Sequence, residues 1–189
     1  MLSPAIMRSN ALSPMQSSGT TAAFATTLSI LPDAAKLVFR GKTEAIEAAG
    51  AHFGVKPSLE ACRFEAVGDR SVYWLGPDEW LFQAVNENPI EVFGGMSVAL
   101  QGQACSLVDV SHRSDGIAVA GPTAALVLNH GCPLDLSLKA FPVGMCTRTV
   151  LGKASLLLSR SEEHVFHVDV WRSFAPYVWQ FLDEARSLS

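Results

Sequence analysis

"SVYWLGPDEWLFQAV", residues 71–85, is two β-rich runs on either side of Gly76-Pro77-Asp78, the composition of a hairpin. Upstream of it, "CRFEAV" (62–67) alternates as a strand. "TEAIEAAGAHF" (43–53) sets Ala45, Ile46, Ala49 and Phe53 at helical spacing behind a Thr43 cap. "KLVFR" (36–40) reads as a strand that stops at Gly41. Downstream, "PIEVFGGMSVAL" (89–100) predicts a helix weakened by Gly94 and Gly95.

The rest of the chain repeats this plan. "CSLVDVS" (105–111) and "GIAVAG" (116–121) predict strands. "PTAALVLNHG" (122–131) predicts a helix with Pro122 in its first turn and Gly131 as its stop. "MCTRTVL" (145–151) is a strand, and "KASLLLSRSEEHVFHVDV" (153–170) a second hairpin turning at Ser159 to Glu163. "SFAPYVWQFLDEARSL" (173–188) closes the chain as a helix capped by Ser173. "VFRGKTEAIEA" lies over "AVAGPTAALVL" with an offset of 80, and "CRFEAV" over "CTRTVL" with an offset of 84. The expected fold is α+β: two related β-α-β-β-β-α halves, about 25–103 and 104–189, packed as one domain. Residues 1–24, rich in Ser, Thr and Pro, are expected to be a flexible arm.

Composition limits the function. Of 189 residues, 49% are apolar and 17% charged, which describes a folded chain with a rather apolar surface. The net charge of −4 with no basic run leaves no electrostatic footprint for nucleic acid or an anionic membrane. No run reaches the roughly 18 to 20 apolar residues of a membrane span. The N-terminus lacks the continuous apolar core of a secretory signal. Cys62, Cys105, Cys132 and Cys146 stand alone with no CxxC pair, as reduced cysteines do. A cytoplasmic location is expected.

Residues 109–136, "DVSHRSDGIAVAGPTAALVLNHGCPLDL", gather the chemistry-bearing side chains. His112, His130 and Cys132 do not have zinc spacing, and His164 and His167, three apart on a strand, point to opposite faces. Cys132 follows a helix C-terminus, where the dipole opposes a thiolate, and Gly131 and Pro133 beside it are turn residues. Asp109, His112, Arg113 and Asp115 sit in a strand connection, as a solvated turn or local ion pair. The glycines form neither GxGxxG nor GxxxxGK[ST]. No catalytic, cofactor-binding or metal-ligating residue is therefore assigned.

Taken in order, "GPDEWLF" (76–82), "DVSHR" (109–113), "GP" (121–122), "LNHGCPLDL" (128–136), "FPVG" (141–144), "RT" (148–149), "KA" (153–154) and "WRSFAPYVWQFL" (171–182) resemble the gamma subunit family of heterotetrameric sarcosine oxidase. The resemblance covers about residues 60–186. It implies a noncatalytic accessory subunit, with alpha, beta and delta subunits as partners. The complex it implies oxidatively demethylates sarcosine to glycine, giving peroxide and formaldehyde or methylene-tetrahydrofolate. FAD, FMN, NAD and tetrahydrofolate are then expected in the alpha and beta subunits and zinc in the delta subunit, with no cofactor in this chain. The implied fold is that of the folate-binding domain of glycine-cleavage aminomethyltransferases. The alternative is a stand-alone folate or one-carbon module, which needs a carboxylate and an aromatic floor; Asp109, Asp169 and Trp171 are candidates.

In the closing helix Phe174, Val178, Phe181 and Ala185 form one stripe, with Tyr177 at its edge, and Ala175, Trp179 and Leu182 widen the apolar arc. One stripe is expected to pack on the chain's own sheet and the Trp179 side to meet another subunit, the alternative being deeper burial in this chain. Trp179, Tyr177, Arg113 and His112 are the candidate subunit-interface residues.

Overall fold

A computed structural model describes residues 11–12 and 25–188. Its first half contains β1 (Thr27–Ile30), β2 (Ala34–Gly41), α1 (Thr43–Phe53), β3 (Phe64–Val67), β4 (Arg70–Gly76), β5 (Glu79–Val85) and α2 (Pro89–Ala99). The second contains β6 (Cys105–Asp109), β7 (Ser114–Ala120), α3 (Ala124–Asn129), β8 (Cys146–Leu151), β9 (Ala154–Glu162), β10 (Val165–Trp171) and α4 (Ala175–Ser187). The α+β class and the duplication are as the sequence predicts, with one strand more in the first half. That strand, β1, has its signal in the alternation of Leu28 and Ile30 with Thr27 and Ser29.

The strands form two antiparallel sheets, ordered β3-β4-β5-β2-β6 and β1-β7-β10-β9-β8. Each half thus sends its first strand to the edge of the other's sheet. The transfer takes only a few residues. Leu31 N–H still donates to Gly116 in one sheet (2.9 Å), while the Asp33 carbonyl already accepts from Asn86 in the other (2.9 Å). Pro32, between them, has no N–H for a ladder. In the reverse direction Val110 N–H donates to Lys36 (2.8 Å), and the Arg113 carbonyl accepts from Arg172 (3.0 Å). "DVSHR" is this second crossover.

Helices cover one face of each sheet. Leu37, Phe39 and Phe82 of the sheet meet Ile46 and Phe53 of α1, with Phe53 edge-on to Phe82 at 5.0 Å. Ile117, Val119, Phe166, Val168, Val178 and Leu182 form the corresponding core beside α3 and α4. Each such side chain contributes about 1.5–3 kcal/mol by leaving water. The ladders also correct the alignment of the halves. Phe64 stands opposite Tyr73 and Cys146 opposite Ser159, so Phe64, and not Cys62, corresponds to Cys146. A slip of two residues leaves every side chain on its expected face, which is why the repeat remained readable.

Several boundaries differ from expectation. Thr43 is the first helical residue of α1 and no side chain caps the helix at Lys42. Ser173 does not cap α4 either; a hydrogen-bonded turn from Trp171 to Phe174 (2.8 Å) leads directly into it. The Ser159–Glu163 turn is not formed, and β9 runs on to Glu162. The polar run stays in the ladder because Ser159 pairs with His167 and Arg160 with Phe166, positions where Ser159 and Arg160 are buried. Of the expected arm, only Ala11 and Leu12 fall within the described residues. Leu12 is fully buried in the second core, and Ala11 N–H donates to the Asp115 carboxylate (3.2 Å).

Candidate functional site

The faces turned away from the helices meet each other. Tyr73, Leu81 and Val38 from one sheet pack with Cys146 and Leu157 from the other, beside Phe64, Leu75 and Val110. Backbone bonds join the sheets along one side, from Cys146 N–H to Cys62 (2.9 Å) and from Phe64 N–H to Gly144 (3.0 Å). Deeper in, Lys36 is 4% exposed and forms an ion pair with Asp169. Its ammonium also donates to the carbonyl (3.1 Å) and hydroxyl (3.2 Å) of Ser114, so every proton of the buried cation has an acceptor. Burial, with the Asp169 charge in addition, pushes the Tyr73 hydroxyl up to about 12, so it stays protonated. Burial also pushes His167 below its ordinary value, against the smaller opposing pull of Glu162.

At one end the cleft opens into a groove of about 480 Å³. Leu75, Leu81, Leu157, Val150 and Trp171 form its apolar lining, with Asp169 at its inner wall and Arg113 and Arg148 at its rim. Trp171 is 57% exposed. Arg148 reaches across the cleft to Glu79 with two bonds of 2.5 and 3.3 Å. That guanidinium holds the Glu79 carboxyl below its usual range, with smaller contributions from Arg40 and Arg113.

Most chemistry-bearing residues of 109–136 serve the fold. The Asp109 carboxylate accepts from Ser111 N–H (2.9 Å) and hydroxyl (2.5 Å), and Ser111 accepts in turn from Lys36 N–H (2.9 Å). Asp109 therefore fixes the crossover, while Asp169 and Trp171 come together in the groove. Cys132 is buried with its Sγ 3.8 Å from the Thr149 hydroxyl. His130 Nδ1 lies 3.0 Å from the Leu126 carbonyl. His164 is exposed in the hairpin turn and His167 points into the cleft, so the two do not converge. All four cysteines are free thiols, and burial pushes Cys146 up to about 12. Among the described residues no three His, Cys, Asp or Glu side chains come together as a metal site, and no helix is long and apolar enough to cross a membrane.

Of the candidate interface residues, His112 and Arg113 are exposed on the crossover. In α4 the buried stripe is Ala175, Val178, Leu182 and Ala185, not one running from Phe174. Trp179 is half-buried against its own core, so the exposed aromatic edge is Phe174 (41%) and Tyr177 (37%). The Tyr177 hydroxyl accepts from Lys153 N–H (3.3 Å) and lies close over Gly152, where a side chain would collide with it. Sequence reasoning missed Lys36 and Arg160. Arg160 is 3% exposed, stacks on Phe166 at 4.6 Å, and donates to the carbonyls of Leu136 (3.1 Å), Phe141 (2.7 Å) and Glu163 (2.7 Å). It thereby ties down the "LNHGCPLDL" and "FPVG" loop. Its signal was available: an arginine in register with the apolar face of a strand.

Comparison with known proteins agrees with this geometry. A family described as "Sarcosine oxidase, gamma subunit family" matches residues 32–188. A sarcosine oxidase subunit gamma from Corynebacterium sp. (strain U-96) is 35% identical over 132 residues, covering 68% of this chain and 63% of the relative. The chain spans about 60% of the length of such curated relatives. A chain of the heterotetrameric sarcosine oxidase from Corynebacterium sp. U-96, solved with pyrrole 2-carboxylate, matches with a TM-score of 0.85 at 28% identity, covering 95% of both chains. The glycine cleavage system aminomethyltransferase T from Bartonella henselae shares the fold, with a TM-score of 0.66 at 14% identity over 84% of this chain and 45% of that one.

Proposed function

The chain belongs to the sarcosine oxidase gamma subunit family, and from that premise we propose that it is a noncatalytic accessory subunit of a heterotetrameric sarcosine oxidase. In this reading the two halves act as one domain in the cytoplasm, beside alpha, beta and delta subunits. Those partners hold FAD, FMN, NAD, tetrahydrofolate and zinc. The assembly converts sarcosine to glycine, with peroxide and formaldehyde or methylene-tetrahydrofolate as products. The observation that carries the proposal is the end-to-end likeness to one chain of a solved complex. The use of Asp109, Ser111 and Arg160 to hold crossovers and loops fits an accessory role. A stand-alone one-carbon module receives less support, because both candidate carboxylates are engaged, Asp169 by Lys36 and Asp109 by Ser111.

The test is a pull-down of the tagged full chain from its native cytosol, with flavin absorbance and sarcosine-dependent peroxide read on the eluate. A yellow eluate containing larger chains and releasing peroxide is expected. A colourless, solitary chain that binds tetrahydrofolate in titration would replace this reading with the one-carbon module.

A further inference from the structure

The groove beside β8 has features that the fold does not require. Its lining is apolar, yet Trp171 and Val150 are 57% and 40% exposed. A large apolar side chain left open in a concavity marks an unfilled contact. The charges at the rim do not cancel. Asp169 is taken by Lys36 and Glu79 by Arg148, while Arg40 stands 3.5 Å from Asp78 and 3.7 Å from Glu79. Arg113 is exposed, and its side chain reaches no carboxylate at ion-pair distance among the described residues. This acidic chain of net charge −4 therefore carries a local cationic lip over an apolar slot. The slot also runs along Arg148, Thr149 and Val150 of β8, the edge strand of its sheet. An open edge accepts extended chain through its backbone.

We propose that this groove receives an extended segment of a partner subunit that places an acidic side chain on Arg113 and an adjacent aromatic or aliphatic side chain against Trp171 and Val150. The proposal rests on the accessory-subunit reading. The sign of the lip specifies the acidic group, the apolar lining specifies its neighbour, and the β8 edge specifies the extended form. The crossover that presents Arg113 is held by backbone bonds to Val110 and Arg172, so the guanidinium is offered from a fixed base.

The test is co-expression of the tagged full chain with its partner subunits, comparing wild type with Arg113→Glu, Arg113→Lys and Trp171→Ala. Both affected side chains are exposed, and a melting curve of each isolated variant is compared with wild type. Arg113→Glu is expected to lower recovered complex by roughly tenfold or more and Trp171→Ala by a comparable factor, with Arg113→Lys retaining most of it. Assembly of Arg113→Glu and Trp171→Ala at wild-type yield would overturn the groove while leaving the accessory-subunit reading intact. A wild-type chain that captures no partner would overturn both. An isolated wild-type chain that is dimeric, and that Arg113→Glu makes monomeric, would assign the groove to a second copy instead.

Discussion

In the first half Lys36 stands opposite Gln83 across the β2–β5 ladder, whereas in the second Gly116 stands opposite Asp169 across β7–β10. These are equivalent positions of one duplicated plan. Identical halves would make any contact between them twice. Divergence instead put a cation on one face and an anion on the other, and left the sister positions uncharged. One buried ion pair then bridges the two sheets, where two would double the desolvation cost. The long loops differ in the same way. Between α1 and β3, Trp80 Nε1–H holds the Ser58 carbonyl (3.0 Å). Between α3 and β8, a longer loop needs two carbonyl bonds from Arg160, to Leu136 and Phe141.

The largest effect is expected where side chains anchor the two long loops. Arg160→Met leaves buried carbonyls without donors and is expected to cost about 4 kcal/mol, against about 1 kcal/mol for Trp80→Phe. Urea unfolding of both variants measures the gap. Equal losses would show that the two loops are anchored alike.

Breaking the ion pair comes next. Asp169→Ala strands a buried ammonium and is expected to cost about 3 kcal/mol, while Lys36→Met with Asp169→Leu restores most of that loss. Urea unfolding free energies of the single and the double variant read this. A double variant as unstable as Asp169→Ala would mean that the charges themselves join the halves.

The smallest effect concerns Leu81 and His167, which occupy equivalent ladder positions opposite Val38 and Ala118. His167 is depressed by burial, so below its ordinary value the unfolded chain binds the proton and the folded chain does not. Stability is therefore fully present above about pH 6.5 and declines as the pH falls from there toward the folded value. His167→Leu, which copies the first half, is expected to flatten that slope. Unfolding midpoints between pH 7.5 and 5 test it, and an unchanged slope would assign the loss to other groups.

Much of this fold was legible because strand and helix periods are local. The 43–53 helix, the 71–85 hairpin and the repeat follow from spacing alone, and the family follows from ordered motifs such as "NHGCPLDL". The exchange of β1 and β6 between sheets was not legible, since a strand's period names its faces and not its neighbour. Lys36 and Asp169 lie far apart in sequence, and only the packing of two sheets makes them partners. The same holds for the groove. Arg113 was recognisable as exposed charge on a turn, but Trp171, Val150 and Leu75 come from separate strands of two sheets.

By itself the sequence determined the elements, the duplication and the side of each strand that is apolar, because those depend on residues a few positions apart. Which half each edge strand joins, which buried charges meet and where a concave apolar surface stays open were decided by tertiary structure. Those outcomes depend on desolvation and shape between segments far apart in the chain, and no local pattern encodes them.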